Sequence, residues 1–328
     1  MAKEVSIVKN LTMITIILFL IGLILLVKGA DLFIDGGSAI AQNYKIPKIV
    51  IGLTIIAFGT SAPELIVNIL ASINKNSDIV LGNIIGSNIV NILLILGLAS
   101  LIYPLKAKSD TVIKEIPFSL LTGVIVFLMT FGYWLGVKLP DEEISRAEGL
   151  ILISFFIIFM YYIIGSLRND SNSIEVSMHE MSNPRASLYT LSGLTLLVVG
   201  GKLLVDSAIN MATYFNISQS IIGLTIVAIG TSLPELATSV VAAYKKQSDI
   251  AIGNVVGSNI FNVFWILGLS ATIYPVSATG FSTDIIVSIL ASLILFIFMF
   301  IGQKHTIERW QGAIFVCLYI GYLIYIIK

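Results

Sequence analysis

Gly59-Thr60-Ser61-Ala62-Pro63-Glu64-Leu65 returns later in the chain as Gly230-Thr231-Ser232-Leu233-Pro234-Glu235-Leu236. Gly82-Asn83-Ile84-Ile85-Gly86-Ser87-Asn88-Ile89-Val90-Asn91 returns as Gly253-Asn254-Val255-Val256-Gly257-Ser258-Asn259-Ile260-Phe261-Asn262. Both pairs stand 171 residues apart. A constant offset with no insertion between the blocks means that one structural unit was duplicated whole, its polar and carboxylate-bearing parts staying alike while the apolar filler drifted. Gly29 and Gly200, Asp35 and Asp206, Thr54 and Thr225, Asp78 and Asp249, and Tyr103-Pro104 and Tyr274-Pro275 keep the same offset.

These blocks sit in a chain that is 57% hydrophobic and 12% charged, with a mean hydropathy of +0.98. Such a composition, in apolar runs of about 20 residues, describes an integral membrane protein rather than a soluble core. The formal net charge is zero, so no global field attracts nucleic acid. The single cysteine, Cys317, has no disulfide partner, excludes a CxxC metal or redox site, and reads as packing filler. The first apolar run follows two lysines but lacks a small-residue cleavage site, so it reads as a transmembrane helix rather than a removed signal peptide.

Apolar windows bounded by charge or turn clusters give ten spans: 11–30, 48–73, 79–102, 112–135, 148–166, 187–210, 219–243, 250–273, 282–302 and 309–327. The expected fold is an all-α integral membrane protein of ten transmembrane helices in two inverted five-helix repeats, with helices broken at an ion site. Residues 1–166 form the first repeat, 167–186 a cytoplasmic linker and 187–328 the second. Inversion follows from parity: after five spans the second copy enters from the opposite side of the bilayer. The repeat likeness fades in the last two spans of each half, which assigns those spans to scaffold and the first three to chemistry.

Eleven basic residues on one side (Lys45, Lys48, Lys106, Lys108, Lys114, Arg168, Arg185, Lys245, Lys246, Lys304 and Arg309) face six on the other (Lys3, Lys9, Lys75, Lys138, Arg146 and Lys328). The richer side is cytoplasmic by the positive-inside bias, which puts both termini outside a multi-pass cell-membrane protein.

Pro63 and Pro234 lie deep within their spans, where a proline removes one helical hydrogen bond and obstructs the carbonyl four residues back, that of Gly59 or Gly230. A break is expected at each, and irregular backbone at mid-membrane is tolerated only where protein or a cavity covers it. Beside each break stands an acid, Glu64 or Glu235. A charge there costs about 3 kcal/mol unless compensated, and neither span offers a lysine or arginine close by. A bound cation or a proton is the natural partner. Thr60 and Thr231 stand four residues before the glutamates, with Ser61 and Ser232 between. Ser87 and Asn91 share one helical stripe, as do Ser258 and Asn262.

Taken singly, a proline is a kink and a Gly-x-x-x-Gly is a helix contact; the whole set occurring twice is what points to a site. Its donors are oxygens only, which suits Ca2+ or Na+ rather than zinc or copper. The glycines at 82, 86, 253 and 257 let a neighbouring helix approach closely. Asn83 and Asn254 read as caps or turn residues, Asn88 and Asn259 as supports behind the ligands. Asp35, Asp206, Asp78 and Asp249 read as solvated or helix-terminal charges, Tyr103 and Tyr274 as an interfacial belt, and His179 and His305 as loop residues.

Gly-Thr-Ser-x-Pro-Glu-Leu followed by Gly-Asn-x-x-Gly-Ser-Asn-Ile-x-Asn, in both halves, resembles the paired alpha repeats of the Ca2+/cation antiporter superfamily, most of all its Na+/Ca2+ exchanger family in compact prokaryotic form. The resemblance implies an antiporter that exchanges Na+ for Ca2+ by alternating access, with no catalytic residues, no cofactor besides the transported ions and no obligatory protein partner. The ligands it implies are Thr60, Ser61, Glu64, Ser87 and Asn91, with Thr231, Ser232, Glu235, Ser258 and Asn262, plus the carbonyls of Ala57 and Ala228. K+-dependent exchangers, and some compact prokaryotic members, carry aspartate where Asn262 stands, so the amide argues against K+ co-transport. Cation/proton exchange is the alternative and a cation channel a more distant one. A hydrolase has no support, since the spans hold no histidine to activate a serine and no Gly-x-Ser-x-Gly.

Overall fold

The structure, a computed structural model, describes residues 2–131, 143–166, 181–214 and 228–327. Helix α1 (Ala2–Asn43) is far longer than the expected 11–30 span. Its stretch after Ala30 holds no proline before Pro47, and Gly36 and Gly37 stay helical, so the helix runs on to the turn at Lys45 (φ 56°). Helices α2 (Lys48–Thr60) and α3 (Ala62–Ile73) are bent by 49° at Ser61. Then come α4 (Ser77–Ile102), α5 (Thr111–Phe131), α6 (Arg146–Ser166) and α7 (Asn183–Tyr214). The second half continues with α8 (Ala228–Thr231), α9 (Leu233–Tyr244), α10 (Ser248–Ile273), α11 (Ser282–Phe298) and α12 (Arg309–Ile327).

Among the described residues, seven helices are long and apolar enough to cross a membrane, eight with the bent α2–α3 pair; α11 is apolar but shorter. The front of the expected 219–243 span lies outside the described residues. The fold is not purely helical: β1 (Leu105–Lys106) pairs antiparallel with β4 (Thr306–Ile307), and β2 (Glu143–Ile144) with β3 (Val276–Ser277). Each pair fastens a loop of one half to a loop of the other.

Burial places α10 and α4 at the centre, with 94% and 72% of their apolar windows enclosed, against 22% for α6 and α12. Cys317 is exposed on α12, so it fills no core space. Helices α1 and α7 pack antiparallel along a glycine seam. Gly22 meets Gly200, Gly29 meets Gly193, and Gly36 meets Ala186 and Thr190. A methyl group on Gly29 would lie 2.8 Å from the Leu197 amide nitrogen, so only glycine admits this approach. Gly253 and Gly257 seat α10 against Gly52, Leu53 and Ala57 of α2. Gly82 meets Phe281 instead, and residues 223 and 224, the counterparts of Gly52 and Leu53, lie outside the described residues.

Contacts come in pairs that exchanging the halves interconverts, as with Gly22–Gly200 and Gly193–Gly29. The likeness does not end after the first three spans. It resumes past a length difference, at an offset of 163: Arg146 donates to the carbonyl of Ile273 (3.2 Å), and Arg309 to that of Ile102 (3.3 Å).

Candidate functional site

At both breaks the chain leaves helical geometry for one residue, Ser61 (φ −82°, ψ 9°) and Ser232 (φ −86°, ψ 7°). Pro63 and Pro234 fall in the first turns of α3 and α9, where a missing N–H is tolerated. The break is a bend rather than an opened strand. Ser61 N–H still donates to the Ala57 carbonyl (3.0 Å) and Leu65 N–H to that of Ser61 (3.0 Å). The Ala57 carbonyl also accepts from Thr60 Oγ1 (3.3 Å), while Ala228 opens α8. The bend puts each glutamate in the first turn of the following helix, so the partial positive charge of that helix end faces its carboxylate.

Both glutamates are buried, and each carboxylate accepts from a serine of the opposite half. Ser61 Oγ donates to Glu235 Oε1 (2.8 Å) and lies 3.0 Å from Ser258 Oγ. Ser232 Oγ donates to Glu64 Oε1 (3.4 Å) and lies 3.1 Å from Ser87 Oγ. Ser258 Oγ also reaches Glu235 Oε1, at 3.3 Å. Thr60 Oγ1 donates to Asn254 Oδ1 (3.0 Å), and Asn83 Nδ2 donates to Thr231 Oγ1 (3.1 Å).

Asn91 and Asn262 each stand second in a wide π-helical stretch, Val90–Leu96 of α4 and Phe261–Leu267 of α10. Such turns recur at functional positions because they redirect side chains within a helix. Asn91 Nδ2 donates to Asn259 Oδ1 (2.9 Å) and Asn262 Nδ2 to Asn88 Oδ1 (3.0 Å). Asn88 and Asn259 donate to each other's main-chain carbonyls, at 3.3 and 3.4 Å. With their amide nitrogens committed, Asn91 and Asn262 turn their oxygens the other way.

Among the described residues nine buried side-chain oxygens have no hydrogen-bond partner, and four of them form matched pairs between the halves: Glu64 Oε2 with Glu235 Oε2, and Asn91 Oδ1 with Asn262 Oδ1. Each orphaned acceptor costs about 1–3 kcal/mol, more where it is charged. Among the described residues, no basic side chain pairs with either glutamate. The same two positions of each half are thus left unsatisfied, with a formal charge of minus two and acceptors only. A hard cation fits that donor set.

All ten side chains singled out for ligation lie on the segments that meet here. Asn83 and Asn254 are not caps: the N-cap positions of α4 and α10 are Asn76 and Gln247, and both asparagines hold a threonine across the halves. Sequence reasoning missed Asn68 and Ser239. Asn68 donates to the Glu64 carbonyl (2.7 Å) and to Asn83 Oδ1 (2.8 Å), and Ser239 accepts from Asn254 (2.9 Å). The available signal was spacing, since each stands four residues after its glutamate on the same face. Asp35 is solvated, at 44% side-chain exposure, and also paired: it and Asp31 each lie 2.6 Å from Lys245. Asp78 and Asp249 do stand in the first turns of α4 and α10. Tyr103 and Tyr274 are each covered by a lysine, Lys246 (6.0 Å) and Lys75 (5.9 Å).

The sodium/calcium exchanger protein family matches this chain at residues 14–165 and 186–328. The sodium/calcium exchanger MaX1 of Methanosarcina acetivorans is 35% identical over 339 residues, 94% of this chain and 97% of MaX1. The inner membrane protein YrbG of Escherichia coli is 38% identical over 289 residues, 84% of this chain and 86% of YrbG. The solved structure of the sodium-calcium exchanger NCX_Mj, soaked with 10 mM Na+ and 10 mM Sr2+, superposes with a TM-score of 0.80 at 33% identity, covering 94% of this chain and 97% of NCX_Mj. The chain belongs to the sodium/calcium exchanger family, transmembrane antiporters rather than enzymes.

Proposed function

We propose that this chain exchanges Na+ for Ca2+ across the cell membrane by alternating access, without K+, as a ten-helix protein of two inverted five-helix repeats. The observation that carries the ion reading is the set of four unpartnered buried oxygens on Glu64, Glu235, Asn91 and Asn262. One Ca2+ neutralises the two carboxylates. Serving both ions from one ligand set makes their binding competitive, and exchange then needs no long-range coupling, provided the empty and doubly negative site crosses poorly.

In this reading Thr60, Ser61, Ser87, Thr231, Ser232 and Ser258, with the carbonyls of Ala57 and Ala228, complete the ligand sets for Na+ or Ca2+. No cofactor and no partner protein is needed, the transported ions being the only bound species.

Antiparallel α1 and α7, and contacts that recur on exchanging the halves, support the inverted repeat. So does the way loops meet. Residues near 48, 106, 246 and 304 gather on one face, and those near 75, 144, 146 and 274 on the other. The lysine bias makes the first face cytoplasmic and puts both termini outside, with residues 167–186 as a cytoplasmic linker between 1–166 and 187–328.

The test is Na+-gradient-driven uptake of radiolabelled Ca2+ into proteoliposomes, with choline in place of K+. Uptake is expected to persist without K+ and to disappear in Glu64→Gln and Glu235→Gln. Uptake that requires a pH gradient and ignores Na+ would establish proton exchange instead, a reading favoured by two buried carboxylates that a proton could also satisfy. Single-channel currents without counter-transport would point to a channel.

A further inference from the structure

A second concentration of charge in the molecule shares no residue with the glutamate site and has the opposite sign. Four segments converge on a depression of about 710 Å3: the start of α2, the residues around β1, the turn between α9 and α10, and the loop before β4. Lys48, Lys106, Lys108, Lys246, Lys304 and His305 line it, with Asp249 as its one acid. Lys48, Lys106, Lys246 and Lys304 pair with no carboxylate among the described residues. Ammonium groups gathered over one concavity repel one another, and a multivalent anion relieves that repulsion. The floor includes the first turn of α10. Its N-cap residue, Gln247, gives that turn no side-chain hydrogen bond, and Gln247 Oε1 is occupied by Ser38 Oγ (2.8 Å). A helix N-terminus of this kind adds partial positive charge to the basin.

The repeat provides an internal comparison. At the offset of 171, Lys106 and Lys108 correspond to Ser277 and Thr279, whereas Lys246, Ser248 and Asp249 correspond to Lys75, Ser77 and Asp78. The shared positions are those the duplication imposed, and the added lysines belong to one copy. The floor of the basin is therefore common architecture, and its charge is specific to one face.

We propose that this basin binds a phosphorylated polyanion, either a phosphomonoester lipid headgroup or a soluble polyphosphate. Lysines are point-charge phosphate ligands, and the volume falls within the roughly 300–1,000 Å3 of small-molecule sites, more than one bare phosphate fills. The site is separate from the ion-exchange centre and its test does not depend on transport.

The full-length chain in phosphatidylcholine nanodiscs is titrated with inorganic pyrophosphate by calorimetry, and nanodiscs doped with phosphatidic acid are scored for retained lipid by native mass spectrometry. Saturable binding is expected in at least one arm, and the arm that responds identifies the source. The Lys106→Gln/Lys304→Gln variant is expected to weaken that binding by roughly tenfold or more, as is Lys48→Gln/Lys304→Gln, while Lys202→Gln on α7 leaves it unchanged. Absence of binding in both arms overturns the proposal. So does an equal loss in the Lys202 variant, because the lysines would then act only through overall charge.

Discussion

At the scale of single residues, the site is a set of hydroxyls and amides that fix two carboxylates without neutralising them. The two halves do this with unequal precision. Ser61 holds Glu235 at 2.8 Å, and Ser258 supports the same oxygen, whereas Ser232 holds Glu64 at 3.4 Å. A hydrogen bond to a charged group contributes about 1.5–3 kcal/mol, and a long one less. Ser61→Ala is therefore expected to raise the Ca2+ concentration for half-maximal uptake by roughly tenfold or more, and Ser232→Ala by less. Equal effects, or the reverse order, in Ca2+ titrations of proteoliposome uptake would show that the two distances carry no energetic difference. The carboxylates, threonines, serines and outer asparagines of this set were legible as a repeated pattern of oxygen donors. The roles of Asn83 and Asn254 were not, because a bond to a threonine of the other half leaves no trace in local spacing. Asn68 was missed for a different reason: Glu64 stands on its own helical face, but the counterpart of Asn68 is a serine and breaks the repeat.

At the scale of elements, Pro63 determines where Glu64 points. Without it, residue 63 would offer an N–H to the Gly59 carbonyl, and α2 and α3 would tend to merge across the 49° bend. Pro63→Ala is expected to keep or raise the melting temperature while lowering Ca2+ uptake by roughly tenfold or more, since displacing a ligand by about 1 Å is costly. Full uptake by this variant would mean that tertiary packing alone sets the bend. The α1–α7 seam makes the opposite demand. A methyl on Gly193 would lie 2.5 Å from the Phe33 amide nitrogen, whereas one on Gly201 meets nothing within 4 Å. Gly193→Ala is expected to cost about 1–3 kcal/mol and several degrees of melting temperature, and Gly201→Ala to be neutral or mildly stabilising. Thermal unfolding in detergent checks both. The breaks were readable because proline has a local mechanism. The π-helical stretches and the length of α1 were not: nothing in the composition of Val90–Leu96 separates a wide turn from a regular one, and the polar residues after Ala30 are paired with Lys245 only in three dimensions.

At the scale of the whole molecule, duplication is the organising fact, and the sequence understated it. The apparent fading of the repeat comes from a length difference between α5 and β2 on one side and α11 and β4 on the other. Beyond it, Arg146 and Arg309, Gly149 and Gly312, and the strands β2 and β4 correspond at an offset of 163. Fixed-offset comparison loses such a match, whereas matched contacts recover it. Under the proposed exchange, one central site of formal charge minus two would serve both ions, and the charge moved per cycle would then depend only on how many Na+ replace one Ca2+. If more than two do, Ca2+ uptake in exchange for Na+ carries net positive charge outward. An inside-positive potential should then promote uptake, and an inside-negative one should oppose it. One net charge is worth about 2.3 kcal/mol per 100 mV, so the limiting Ca2+ accumulation ratio should change by about fiftyfold over that range. The measurement is Ca2+ accumulation in proteoliposomes clamped by ionophore diffusion potentials of either sign. Accumulation indifferent to potential would reduce the exchange to two Na+ per Ca2+, leaving the two carboxylates balanced by either load.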